Sequence, residues 1–244
     1  MIPGTTPPEL LRSVLERDGA RPFVTYYDDA TGERIELSVA TFDNWVSKTA
    51  GLLCDGLDVA PGDRVMLLLP AHWQSLVLAG ACWAAGACAV LDDAGDSSLV
   101  VVGPATLDAA PRSSETLAVS LRPLGGRFTE PLPAGMLDYA AEVPTHPDRF
   151  VAYGHVDPAE PALEAHGVVT TYGGLVGQAR ERAAQLDAGP GARLLVATDD
   201  LRTALLDALL VPLVVGGSAV LVRNEIRDRR EARLASERAQ AAEP

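Results

Sequence analysis

The sequence predicts an α/β protein of three layers: mostly parallel sheet, helices on both faces, and two related βαβ-type halves. Three observations predict it. The apolar runs Val65–Leu69, Leu99–Val102 and Leu194–Ala197 are continuous rather than alternating, as in strands buried on both faces. Residues spaced by three and four put one apolar stripe on a helix at Trp45, Val46, Thr49, Ala50 and Leu53, and again at Leu175, Val176, Ala179, Ala183 and Leu186. The same order of elements also occurs twice, roughly 130 residues apart, which is far beyond a solenoid period.

In the first copy Pro22–Val24 opens a strand. A turn at Asp28–Gly32 leads to Ile35–Leu37, and Thr41-Phe42 opens the helix. Pro61-Gly62 stops the chain in a tight turn before the strand at Val65, because proline cannot continue a helix and glycine accepts the turn. A helix over Gln74–Ala85 then ends at Gly86, which fits a left-handed cap, and feeds the strand Ala87–Leu91. The second copy runs Pro161–Leu163, His166-Gly167, Val168-Val169, Thr171-Tyr172, a helix, Pro190-Gly191 and the strand Leu194–Ala197. A helix over Leu201–Val214, Gly216-Gly217 and the strand Ser218–Val222 complete it.

Between the copies, Leu99–Val102 and Thr116–Leu121 read as strands around a polar turn at Pro111–Glu115. The expected division is a first half over 1–122, a Gly/Pro-rich connection over 123–150, a second half over 151–223, and a charged tail over 224–244. In the tail both signs interleave with alanine, which predicts a solvated helix that frays or is disordered.

Composition excludes several classes. A net charge of −13 opposes a nucleic-acid footprint and docking on anionic lipid. Hydrophobic residues at 48% with 22% charged residues predict a packed core. The apolar stretch Leu76–Leu91 is broken by Gly80 and Gly86, so it predicts a buried helix and strand rather than a membrane span. Met1–Glu9 has no basic or apolar leader region. Cys54, Cys82 and Cys88 lie in apolar surroundings without metal-ligand spacing, which predicts free thiols and a cytoplasmic protein.

Leu37–Asp92 carries a family resemblance. Thr41-Phe42, Pro61-Gly62-Asp63-Arg64-Val65, Met66–Pro70 and Ala85–Asp92 resemble, in order and spacing, the N-terminal domain of the acyl-adenylate-forming enzymes, the family of acyl-CoA synthetases and AMP-dependent ligases. Pro212–Leu221 looks like that family's later helix–Gly-Gly–strand unit. The resemblance implies a truncated relative containing only part of an N-terminal domain. The family's phosphate loop would fall just before Gly167-Val168-Val169-Thr170-Thr171-Tyr172. There the chain reads Asp157-Pro158-Ala159-Glu160-Pro161-Ala162-Leu163-Glu164-Ala165-His166.

A phosphate cradle needs exposed backbone N–H groups, hydroxyls and a lysine. In this chain two prolines remove donors, Glu160 and Glu164 repel phosphate, and His166 stands near the lysine position. The chain has one lysine, Lys48, inside an early helix. The family's aromatic-Gly-x-Thr-Glu motif, ribose-binding aspartate and C-terminal catalytic lysine have no counterpart. The resemblance therefore implies a degenerate loop at Asp157, Glu160, Glu164, His166 and Gly167, with Glu160 and Glu164 solvated. It also implies no catalytic residue, no cofactor and no metal.

Other constellations have plain readings beside the functional ones. Asp92-Asp93-Ala94-Gly95-Asp96 follows a strand and could hold Mg²⁺ or Ca²⁺, or be a solvated loop. His155 and Asp157 could share a strand face near His146, or be surface residues. His72-Trp73 open a helix, with Trp73 read as packing. The leading expectation is a non-catalytic binding or partner protein, with an unidentified protein partner or a homodimer possible. The alternatives are an enzyme with a repurposed cleft using His72, Asp92 or His155, or half of a split ligase completed by another chain.

Overall fold

The computed structural model describes residues 1–92, 95–109 and 115–242. Asp93 of the acidic loop and most of the turn expected at Pro111–Glu115 therefore lie outside the described residues. The elements are α1 (Pro7–Asp18), β1 (Pro22–Asp28), β2 (Glu33–Ser38), α2 (Val39–Gly51), β3 (Arg64–Leu68), α3 (Trp73–Ala85), β4 (Cys88–Val90), β5 (Leu99–Val102), β6 (Glu115–Ala118), β7 (Met136–Asp138) and α4 (Tyr139–Glu142). They continue with β8 (Pro161–Ala165), β9 (Val168–Thr171), α5 (Tyr172–Gln185), β10 (Arg193–Ala197), α6 (Leu201–Thr203), α7 (Val211–Val215), β11 (Ser218–Arg223), α8 (Arg230–Glu237) and β12 (Gln240–Ala241). A π-helical stretch, Ala204–Leu210, joins α6 to α7. Gly86 and Gly216 end α3 and α7 at φ 81° and 64°, the left-handed caps expected of them.

The α/β class holds, but with two sheets where one was expected. The first has the order β12-β10-β11-β1-β2 and the second β7-β6-β5-β3-β4-β8-β9. Every pairing is parallel except the hairpins β1–β2 and β8–β9. The run β10-β11-β1-β2 has the same pattern as β3-β4-β8-β9, so each sheet takes adjacent strands from one half and a hairpin from the other. Val24 thus pairs with Ala219, and Ala89 with Leu163. Trp83 Nε1 donates to Ala162 O at 2.9 Å and the Tyr172 hydroxyl to Ala87 O at 2.9 Å, which tie the second hairpin to the first half.

One core joins both sheets. Val65, Leu67, Leu99, Val101, Leu194, Val196, Ala219 and Leu221 face it from the strands, together with the stripes of α1, α2, α3, α5 and the 201–215 helix. These helices therefore lie between the sheets. Alternate residues face outward: Met66, Val100 and Val102 under Leu107, Phe128 and Met136, and Leu195, Val220 and Val222 under Leu234 and Ala239.

Two terminal segments complete the fold, the second of them against expectation. The N-terminal segment forms α1, where Glu9 Oε2 accepts from Thr5 N at 2.7 Å and Thr6 N at 3.3 Å, while Pro7 and Pro8 occupy the first turn. The tail is docked rather than solvated. Its α8 covers the outer face of the first sheet, and β12 adds a parallel strand beside β10. The physical reason is charge pairing: Arg233 meets Asp29 at 2.6 Å, Glu237 meets Arg193 at 2.5 Å and the Tyr27 hydroxyl at 2.5 Å, and Arg233 lies 4.5 Å over the Tyr27 ring.

Candidate functional site

Part of the segment expected as a degenerate loop is strand. Pro161–Ala165 is β8, and only His166 and Gly167, at φ 53° and 71°, separate it from β9. Two consecutive positive φ values are the geometry of a tight hairpin turn. Asp157 caps the preceding turn, with Oδ1 accepting from Ala159 N at 2.9 Å, while the Glu160 side chain is exposed. Glu164 corrects the expectation of a solvated carboxylate. It forms a two-pronged pair with Arg64 of β3, the second contact at 3.3 Å. Asp92 accepts from both the His166 backbone N–H and ring Nδ1, the latter at 2.7 Å, so it closes the hairpin turn. None of these residues lines the cleft described next.

Glu164→Ala is expected to destabilise the protein by about 1 kcal/mol, because it removes the two-pronged carboxylate contact of the part-buried Arg64. Glu160→Ala should stay within about 0.5 kcal/mol. Urea unfolding of the two variants checks the difference.

The cleft is a hollow of about 610 Å³ at the carboxyl ends of β1, β3, β5, β6 and β11, where both sheets end together. Open α/β sheets place ligands at such ends. Leu67, Leu69, Pro70, Leu91, Leu121 and Pro123 form much of its wall, and Asp28, Glu33, His72 and Arg223 form its polar floor. His72 follows β3 and caps α3, its Nδ1 accepting from Gln74 N at 3.1 Å. Because Nδ1 is an acceptor, the ring proton sits on Nε2. Burial lowers the His72 pKa, and the opposing pull of Glu33 does not cancel it, so the ring is neutral at pH 7. Nε2 lies 3.9 Å from Glu33 Oε2, too far for a hydrogen bond.

Around it, Glu33 Oε1, His72 Nε2, the Tyr26 hydroxyl and the Gln74 amide are buried without a hydrogen-bond partner among the described residues. Tyr26 packs edge-on to His72 at 4.5 Å, and burial, with Asp28 adding to it, holds its hydroxyl protonated. Buried polar groups are ordinarily satisfied, so this concentration marks a site. Arg223 Nε lies 3.7 Å from Asp199, and Asn224 Nδ2 donates to Asp28 at 2.9 Å.

The residues expected to serve a repurposed cleft are not brought together. His72 lines the cleft, and Asp92 closes the hairpin turn. His155 belongs to a second hollow of about 450 Å³ bounded by α1, α2, α3 and the segment 148–156, and it lies on no strand, so its expected sharing of a strand face with Asp157 is not found. The His146 ring packs on Gly51 and Gly56, and its carbonyl accepts from Lys48 Nζ at 2.9 Å, which gives the lone lysine a structural partner. Trp73 is fully buried, 5.4 Å from the Trp45 ring. Burial pushes the Cys54 and Cys88 thiols up to about 11, which opposes thiolate chemistry. Among the described residues no group of three His, Cys, Asp or Glu side chains could hold a metal ion, and no helix is long and apolar enough to cross a membrane. Glu33 escaped the sequence reading because one glutamate beside a hairpin turn has no motif around it; its partner His72 was visible only as the start of a helix.

Comparison with known proteins agrees with this architecture. The N-terminal domain of FACL13 from Mycobacterium tuberculosis has a TM-score of 0.73 at 18% identity, over 96% of this chain and 61% of its own. A Mycobacterium tuberculosis fatty acyl CoA synthetase gives 0.72 at 18% identity, over 96% of this chain and 48% of its own. The chain therefore has the fold of an acyl-CoA synthetase N-terminal domain and spans only part of the length of those proteins. No family model matches the chain. A TIGR03089 family protein of Mycobacterium tuberculosis is 37% identical over 251 residues, covering 97% of this chain and 97% of that protein, and this chain accordingly belongs to the TIGR03089 family.

Proposed function

We propose that this protein is a catalytically silent relative of the adenylate-forming enzymes, a cytoplasmic binding protein that holds a small molecule without activating it. The observation that carries the reading is the two-residue connection between β8 and β9. A phosphate cradle works through successive unpaired N–H groups on a pliant loop. Here the flanking residues pair across the hairpin, Ala165 with Val168 and Glu164 with Val169, and the Asp92 carboxylate takes the His166 N–H at the turn. Such a turn leaves no room to fold around a triphosphate, and Lys48 is engaged elsewhere. The cleft, by contrast, has the volume and the mixed lining of a small-molecule site.

ATP and AMP are expected to leave the melting temperature unchanged. Pyrophosphate release from ATP in the presence of medium- and long-chain fatty acids should stay at the rate without protein. Saturating binding would be obvious, since ligand at 100 times Kd stabilises by about 2.7 kcal/mol. A shift with ATP alone, or acid-dependent pyrophosphate release, would overturn the proposal. A second reading, an enzyme acting through its own cleft, draws on the buried His72–Glu33 pair; it requires a bound molecule to be recovered chemically changed.

A further inference from the structure

We infer that the cleft selects a neutral molecule with an apolar body and a head that both donates and accepts hydrogen bonds, a primary carboxamide or a similar group, and that Glu33 makes it reject the corresponding carboxylate. The inference rests on the reading of this protein as a binder and adds the chemistry of what is bound.

The argument starts from what the polar floor can offer. His72 presents Nε2–H, because its other ring nitrogen accepts from the Gln74 backbone N–H. Arg223 is a further donor. Glu33 is the acceptor: its side chain is 6% exposed, no Arg or Lys lies within ion-pairing distance of it among the described residues, and the neutral His72 stands 3.9 Å away. A buried carboxylate without a cation gains most from a donor brought to it. A donor alone would leave Nε2–H and Arg223 unanswered.

The three possible heads on one apolar body then separate. A carboxylate answers His72 and Arg223 but adds a negative charge beside Glu33 and Asp28, in a hollow with a largely apolar wall. An ammonium answers Glu33 but faces Arg223 and the Nε2–H. A carboxamide places its N–H on Glu33 and its carbonyl toward His72 and Arg223, satisfying both kinds of group without adding charge. Sites built to hydrogen-bond a particular head discriminate strongly, because the wrong head leaves buried groups unpaired.

The test is a set of probes differing only in the head: hexanamide, hexanoate and hexylamine at pH 7.5, with Kd measured by calorimetry or by chemical-shift titration on the full chain. Hexanamide is expected to bind at least about tenfold more tightly than either charged probe. In Glu33→Gln, whose amide can donate to a carboxylate, the preference for hexanamide over hexanoate should shrink by about tenfold or more. Ala105→Trp, at an exposed position on the cleft wall, should abolish binding of all three while leaving the melting temperature unchanged, which keeps the test decisive if the Glu33 variant folds poorly. Equal or tighter binding of hexanoate or hexylamine, binding that survives Ala105→Trp, or no binding of any probe would overturn the inference. None of these outcomes touches the ATP and pyrophosphate measurements, so the failure of one reading is distinguishable from the failure of the other.

Discussion

Gly217→Ala is expected to cost about 3 kcal/mol or more and to leave little folded protein at 37 °C. A Cβ at this position would lie 2.0 Å from the Ala192 carbonyl oxygen and 3.0 Å from its carbon, both main-chain atoms. The backbone cannot step aside. Gly217 N donates to Pro212 O at 2.8 Å, Ser218 N donates to the same Ala192 oxygen at 3.0 Å, and Arg21 Nη1 reaches Gly217 O at 2.7 Å. Moving Gly217 would thus disturb the end of α7 and the start of the β10–β11 register. Gly177→Ala makes the contrast. It lies inside α5 with open space where the Cβ would go, and should stabilise by about 0.5–1 kcal/mol. Equilibrium urea unfolding of both variants measures the two effects, and a Gly217→Ala midpoint near that of the parent would contradict the geometry.

Asp29→Ala is expected to cost about 3–5 kcal/mol, because it leaves Arg233 buried without its carboxylate. The Asp29 side chain is 3% exposed and accepts from Arg233 at 2.6 and 3.2 Å, from Arg229 at 3.2 Å and from the Ile226 amide at 2.8 Å. Losing it should release α8 from the first sheet and expose Leu195, Val220 and Val222, so limited proteolysis should cut the tail in the variant and spare it in the parent.

The pH dependence has the same origin. Burial pulls the Asp29 pKa upward, but the Arg233 bond and the Ile226 amide outweigh it, and the net shift is downward. Glu237 is held low in the same way by Tyr27 and Arg193 against its burial. With folded pKa values below the unfolded ones, their stabilisation is complete above roughly pH 4–5 and is lost as pH falls through the folded values. Tail release should therefore precede global acid unfolding; simultaneous loss of both signals would argue against a separately held tail.

Much of the element order could be read locally. Pro61-Gly62 and Pro190-Gly191 mark turns, Gly86 and Gly216 cap helices, and the apolar runs of β3, β5 and β10 are each buried on both faces. What could not be read was pairing. Nothing in Pro22–Asp28 says that its parallel neighbour is Ser218–Arg223, because a strand's pattern encodes its burial and not its partner. The tail misled for a related reason: its charges of both signs look solvated in sequence and are paired only once Asp29, Arg193 and Tyr27 have been assembled from distant segments. For α1 the signal lies in Thr6, Pro7, Pro8 and Glu9, a capping residue, first-turn prolines and a glutamate at the third helical position. At the cleft, His72 was visible and Glu33 was not, since their approach depends on where β2 begins relative to the end of β3.

The exchange of hairpins between sheets also sets when the molecule can fold as it is made. The β1–β2 hairpin is synthesised early, yet the strand it lies against, β11, is complete only at Arg223. At about 5–20 residues per second, the hairpin waits roughly 10–40 seconds on the ribosome with Phe23, Val24 and Tyr26 uncovered. The second hairpin waits for nothing, because β4 is already present when β8 emerges. Synthesis thus delivers one sheet ready to close and another that must be held open, and the β1–β2 hairpin is most exposed to aggregation until β11 leaves the exit tunnel.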